Sequence, residues 1–484
     1  MPSYPLHHGI PLVFLGLSLA WYEYRLAHTV PEPYMDEPFH VPQARLLCET
    51  GSLLPYDPKL TTPPGLYLVS TALLLPLRLL FQAWTDVSWT CGTTALRVTN
   101  AILGLLLYLA LVRHMGVHSA VDSSPARTGT GGRPSSPLGG RVWVALAITS
   151  FPTLYFFHGL YYTDTGSALC VLTAYTLAHQ GKTISSAILA AFAILFRQTN
   201  VVWILLIALE ALYTSLPTSS HPHLVKEAHL DQTANRTSPS QMLHGTGILI
   251  RTILFNPSSI FPLLPYAAVI GAFGAFLIWN QGIVLGDKMN HVAGIHLPQL
   301  LYFSVFLTLA TAPASLRPSS LTRHTRWILQ APLQYLLACL AVLAAIHHST
   351  LAHPFLLSDN RHSTFYLWRW FLSRPVIRYS LTPLYVFCIW HCTRSLAARA
   401  NYLWCLGYLT CTAIILIPSP LIELRYFTIP YVLARVQLGF KRPGLLALLV
   451  ELALWFTVNL GTIHLFLERP FTWPGHEEAQ RFMW

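Results

Sequence analysis

The chain has 484 residues, of which 53% are hydrophobic and only 10% charged, with a formal net charge of +11 and a mean hydropathy of +0.48. Soluble domains carry about 25% charged residues, so a soluble enzyme is excluded. Apolar runs near the ~20 residues needed to cross a bilayer recur along the sequence and predict an integral membrane protein. The basic balance does not imply nucleic acid, because no basic block lies beside aromatic platforms.

The first apolar run, from Ile10 to Val30, has no basic leader and no small-residue cleavage site, which predicts a retained helix. Directly after it comes "YMDEPFHVPQARLLCE", Tyr34 to Glu49, an unusual concentration of charge in so apolar a chain. Its acid pair reads either as a helix cap or as chemistry. "TTPPGLYLVSTALLLPLRLL" follows as an interfacial or partly re-entrant segment. Spanning helices are expected near Ala95–Val112, Val142–Phe157, Ser167–Leu177, Ile184–Leu195 and Val201–Tyr213. Others are expected near Ile260–Ile278, Leu300–Ala312, Trp327–Ala345, Tyr379–His391, Trp404–Ile417 and Leu445–Phe466, with Tyr426–Phe440 as one more possible crossing. The run from Ile184 to Tyr213 is broken by "FRQTN", where Arg197 is too costly to face lipid and is expected to face a polar cavity.

Arginines cluster in "SSPARTGTGGRPSSPLGG", around Arg317, Arg323 and Arg326, and in the polar stretch from Leu216 to Arg251. The positive-inside bias puts these connections in the cytosol, including the sequon Asn235-Arg236-Thr237. Eight of the 19 acidic residues then fall on the other side: Asp36, Glu37, Glu49, Asp57, Asp164, Asp287, Asp359 and Glu423. The eight cysteines show no CxxC pair and are expected to be buried small hydrophobes rather than disulfides. No metal-ligand spacing is found among the 22 histidines.

Carboxylates, positioned cations and aromatics at the mouth of a helical bundle suit chemistry on a lipid-tethered polar substrate. An Asp beside an acceptor hydroxyl can act as general base, and Arg, Lys or His can stabilise a departing phosphate. With no segment long enough for a nucleotide-binding domain, no GxGxxG and no DxD-type pair, a lipid-phosphate donor fits better than a nucleotide sugar.

The strings "EPYMDEPFHVPQARLLCE", "DPKLTTPPGLYLVS", "FPTLYFFHGLYYTDTGS", "FRQTNVVW", "GDKMNHVAGIHLPQLLYF", "HPFLLSDNRHSTFYLWRWF", "ELRYFTIPYV" and "QRFMW" resemble the dolichyl-phosphate-glucose-dependent α-1,2-glucosyltransferase family, in order and over nearly the whole chain. The resemblance implies an all-α polytopic membrane protein with the C-type glycosyltransferase fold, about 12–14 membrane segments and a luminal first loop bearing membrane-parallel helices. It implies one transferase domain over 1–484, with a luminal loop at 29–94 and cytosolic linkers at 114–140 and 216–258. The implied reaction moves glucose from dolichyl-phosphate glucose to Glc2Man9GlcNAc2-PP-dolichol, inverting, in the endoplasmic reticulum membrane with the active site facing the lumen. No cofactor and no metal are implied. Asp36 matches the superfamily's catalytic Asp, and Glu37 is its rival or its helper in binding the acceptor. Arg361, His362, Lys288, Arg197 and Arg425 are the candidates for the donor phosphate. His40, Gln43, Tyr67, Asp164 and Asp359 are the candidates for sugar and acceptor. A related transferase of another donor or linkage is the nearest alternative. A transporter would show inverted repeats, and none is visible.

Overall fold

The computed structural model describes residues 9–122, 138–216, 223–256, 260–288, 292–439, 444–475 and 477–484. Its longer elements are α1 (Gly9–Thr29), α2 (Glu37–Thr50), α3 (Gly65–Phe81), α4 (Thr93–Asp122), α5 (Leu138–Thr149), α6 (Thr163–His179), α7 (Thr183–Phe196) and α8 (Asn200–Ser215). There follow α9 (Pro239–Phe255), α10 (Leu264–Asn280), α11 (Pro298–Ser315), α12 (Pro318–Gln330), α13 (Pro332–Ser349), α14 (Thr382–Ala397), α15 (Tyr402–Leu416), α16 (Thr428–Leu438) and α17 (Leu445–Glu468). Among the described residues the one sheet is a two-stranded antiparallel pair, Phe471–Thr472 with Ala479–Gln480. The molecule is an all-α polytopic membrane protein. Thr93–Val117, Phe261–Asn280, α13 and α17 are each long and apolar enough to cross a bilayer, and shorter apolar helices accompany them.

Prolines redraw several expected spans. α5 stops at Thr149, and a turn before Pro152 starts the separate short helix Pro152–Phe156, so Val142–Phe157 is two pieces. Between α12 and α13, Ala331 leaves the helical region (φ −138, ψ 59), as a residue before proline prefers to do. Trp327–Ala345 is therefore not one helix. The expected linker 216–258 contains α9, whose start is a capping box: the Ser238 hydroxyl accepts from Gln241 N and the Gln241 amide accepts from Ser238 N. α4 runs on to Asp122, into the expected linker 114–140, whose residues 123–137 lie outside the described residues. Among the described residues, the expected crossing Tyr426–Phe440 holds the end of the short turn Leu424–Phe427 and the eleven-residue α16, about 16 Å long and too short to cross alone.

The chain forms two compact units: Met1–Ser215 with Ile260–Val292 and Trp455–Ile463, and Leu216–Ser259 with Ala293–Leu454 and His464–Trp484. In the first, α6 is buried along most of its length and packs against α4, α7 and α8. In the second, α11 and α13 pack on α14 around Leu301, Val342, Ile346, Tyr385 and Val386. At the start of α11, His296 N donates to Ile417 O and the Gln299 amide donates to the carbonyls of Ser419 and Leu421. The connections 292–297 and 417–423 thus share one end of this unit.

One cysteine expectation is corrected. Cys48, in the last turn of α2, and Cys91, at the end of the short turn Ser88–Cys91, form a disulfide. Their separation of 43 residues matches no spacing motif, so the pair is invisible until the first loop is folded. Cys170, Cys388 and Cys411 lie outside this disulfide and are buried, as small hydrophobes would be.

Candidate active site

The chain leaves α1 and enters α2 through Met35, whose φ of 62° lies in the left-handed region that a side chain like methionine seldom adopts. That turn sets Asp36 at the N-cap of α2 and Glu37 at its first position. Pro38 comes next, where its missing N–H costs nothing. Asp36 is half-buried, and its backbone N–H donates to the Tyr162 hydroxyl at 3.1 Å.

Glu37 has a different environment. It is 0% exposed, and each carboxylate oxygen takes two donors. Oε1 accepts from Arg97 Nε (2.9 Å) and Tyr161 N (2.7 Å), and Oε2 from Tyr34 N (2.9 Å) and Arg97 Nη2 (2.5 Å). Arg97 also donates to the carbonyls of Val30 (2.6 Å) and Glu32 (3.0 Å). Desolvating such a pair costs several kcal/mol per ion, which only a full partner set offsets. The expected acceptor-binding role of Glu37 is therefore corrected: it anchors the loop that carries Asp36.

Other expected residues close a ring of contacts around the same loop. Tyr162 leads into the first turn of α6, where Asp164 pairs with Arg197 at 3.3 Å and the Thr163 hydroxyl accepts from Arg197 Nε at 3.2 Å. These distances exceed the about 2.7–2.9 Å of a tight charge-assisted bond. Next to Arg197, the Gln198 amide donates to Thr61 O at 2.6 Å. Thr61, Leu60 and Pro58 in turn accept from the backbone of Leu285, Gly286 and Asp287. A Cβ at Gly286 would run into Pro58 O, so only glycine fits this approach. Lys288 ends the strap, exposed, with its ammonium on Asn280 O.

Three expected sugar contacts become scaffold. Gln43 donates to Leu53 O (2.9 Å) and accepts from Asp57 N (3.0 Å), so its amide shapes the turn after α2. His40 Nδ1 and the Tyr67 hydroxyl share a hydrogen bond of 2.7 Å; Tyr67 is 0% exposed and offers no face to a sugar ring. They tie α2 to α3. Nearby, burial pushes the Tyr56 phenol up to about 12, and it donates to Thr62 O at 2.7 Å.

The remaining candidates belong to the second unit. Arg361 grips Asp359 with Nε–Oδ1 at 2.8 Å and Nη2–Oδ2 at 2.7 Å, donates to Gln480 Oε1 at 3.0 Å and lies over the Trp473 ring. His362 shares a hydrogen bond with Trp484 O at 2.8 Å, and Met483 N donates to Arg361 O at 2.8 Å. "SDNRH" and "QRFMW" are thus one clasp. Burial works to raise the Asp359 carboxyl, but Arg361 and His362 outweigh it and hold it below the usual carboxylate range. Arg425 pairs with Glu423 at 2.8 Å.

The sequence profile described as the DIE2/ALG10 family matches residues 30–436. The chain belongs to the DIE2/ALG10 family. Relatives named Dol-P-Glc:Glc(2)Man(9)GlcNAc(2)-PP-Dol alpha-1,2-glucosyltransferase include one from Arabidopsis thaliana, 34% identical over 94% of this chain and 96% of its own length. Those of Homo sapiens (34%) and Mus musculus (35%) each cover 94% of this chain and 93% of their own. No solved structure matches. The DIE2/ALG10 match begins at residue 30, where α1 gives way to the Asp36 loop.

In this DIE2/ALG10 member, Arg97 is the site residue that sequence reasoning missed. It sits near the start of an apolar helix, and the rule that singled out Arg197 applies to it equally.

Proposed function

We propose that this chain is a glucosyltransferase of the endoplasmic reticulum membrane. It transfers glucose from dolichyl-phosphate glucose to Glc2Man9GlcNAc2-PP-dolichol in an α-1,2 linkage, with Asp36 facing the lumen. The observation that carries the reading is the name shared by relatives aligned over 94% of the chain. The Cys48–Cys91 disulfide supports a first loop in an oxidising compartment.

The mechanism follows from the unequal acid pair. Asp36 takes the proton from the acceptor glucose 2-hydroxyl, whose oxygen attacks C1 of the donor glucose. The bond from C1 to the phosphate oxygen breaks, its electrons leave with dolichyl phosphate, and the β linkage inverts to α. One displacement with one base needs no covalent glycosyl-enzyme intermediate. Arg197 and Lys288, from the same ring of contacts as Asp36, hold the departing phosphate; Arg197 is suited to this because its pairing with Asp164 is loose. His40, Gln43, Tyr67, Glu37 and Arg97 position the loop.

The test is transfer by the purified chain with a diglucosylated lipid-linked acceptor and either dolichyl-phosphate glucose or dolichyl-phosphate mannose. Glucose transfer in α-1,2 linkage with no mannose transfer is expected. Preference for mannose, or another linkage, would sink the assignment.

A further inference from the structure

The second unit carries a cavity of about 330 Å³ with no part in the chemistry above. It lies where α11, α14 and α16 end, opposite the end that holds His296 and Gln299. Arg317, Arg323, Arg394, Arg399 and Arg435 line it, drawn from three separate stretches of chain. Among the described residues, no acid lines it. Arg435, at 0% exposure, is neutralised from behind by Glu451, with Nη2–Oε2 at 2.8 Å. The other four have no such partner among the described ion pairs.

Three details distinguish this from the scattered positive charge that sidedness requires. First, retention of a loop in the cytosol asks for Lys or Arg anywhere in it, whereas here five Arg side chains from three stretches converge on one concavity. Arg is the residue whose planar fork matches phosphate oxygens. Second, Arg399 Nη1 and Trp390 Nε1 are buried without a hydrogen-bond partner, and such donors are costly to leave unmade. Third, Arg394 is stacked over the Trp390 ring at 5.4 Å, which holds its donors at the mouth. Burial and the like charge of Arg317 both depress Arg399 below its ordinary value, a crowding that an anion would relieve.

We propose that this cavity binds a phosphate-bearing anion, at the end of the second unit remote from the Asp359–Arg361 clasp. Its volume, at the lower bound of about 300 Å³ for ligand pockets, admits a diphosphate or a phosphorylated headgroup and excludes an acyl chain. Basic pockets between membrane helices on the cytosolic side are suited to such groups.

The experiment is thermal unfolding of the full purified chain against two probes. Inorganic pyrophosphate is titrated at constant ionic strength in detergent. Nanodiscs of phosphatidylcholine are compared with nanodiscs that also contain phosphatidylinositol 4-phosphate. A saturable rise in Tm is expected with at least one probe: pyrophosphate alone identifies a soluble anion, the lipid alone a headgroup, and both a site for either. Arg317→Gln and Arg399→Gln should each raise the half-saturating concentration by about tenfold or more. Arg394→Gln, at an exposed position, carries the same test if those variants fail to fold. No saturable rise with either probe, or a rise unchanged in the variants, would overturn the proposal.

Discussion

Asp36 and Glu37 are chemically near-identical neighbours with unlike surroundings, and each makes its own prediction. General-base catalysis contributes about 10²–10⁴-fold, so Asp36→Asn should lose that much in kcat while keeping donor and acceptor binding. Single-turnover kinetics at saturating substrate measure it. Glu37→Gln should act on stability instead, because it strands the Arg97 guanidinium at 1% exposure; breaking such a pair costs about 3–5 kcal/mol. The double variant Glu37→Gln/Arg97→Met should recover part of that loss, the mark of a coupled pair. A stable but inactive Glu37→Gln beside an active Asp36→Asn would reverse the two roles. The acid pair stood out in sequence as charge concentrated directly after an apolar run. Which acid faces outward was not legible, since this depends on Arg97, sixty residues away, and on the backbone of Tyr161.

At the scale of elements, the first loop is held by devices that sequence patterns do not announce. Replacing Cys48 by Ser opens the Cys48–Cys91 loop and should lower stability by about 2–4 kcal/mol, read as a fall in Tm matched by mild reduction of the wild-type chain. The clasp gives a second test. Arg361→Ala removes two tight bonds to Asp359 and one to Gln480, so it should destabilise the protein by about 1.5–3 kcal/mol with donor KM unchanged. A raised donor KM at unchanged Tm would instead return Arg361 to the phosphate. Hydropathy located helices at most of the expected positions, and among the described residues four helices are long and apolar enough to cross a bilayer. It misjudged Val142–Phe157 and Trp327–Ala345, where a proline divides an unbroken apolar run.

Across the whole molecule, pH stability and sidedness can be checked together. His296 is buried at the start of α11, and burial lowers it to about 4, with the carbonyls of Pro420 and Ser419 acting only partly against this. Its folded pKa lies below its unfolded one, so the unfolded chain binds more protons between those values. Stability should therefore be full above pH 6.5 and decline on acidification toward pH 4, by on the order of 3 kcal/mol. His296→Gln should flatten that part of the profile in a Tm series. Asn235 is exposed and lies at the arginine-lined cavity, on the side assigned to the cytosol, so mass spectrometry of native protein should find its sequon unmodified. A glycan there would invert the sidedness of the second unit. The clustering of acid and base by loop carries the sidedness expected from sequence, which the sequon experiment tests, because the bilayer biases loop composition; the side-chain partners within each cluster were not readable.

The Cys48–Cys91 bond also acts as a rule of parity. Two thiols that join must lie in the same compartment, so the chain between them crosses the bilayer an even number of times or not at all. α3 is the one long helix in that interval, and it is apolar enough to be mistaken for a crossing. It must lie along the surface or enter and return on the same side. A hydropathy count that scores α3 as a span gains one crossing and exchanges inside for outside in every loop from α4 to Trp484.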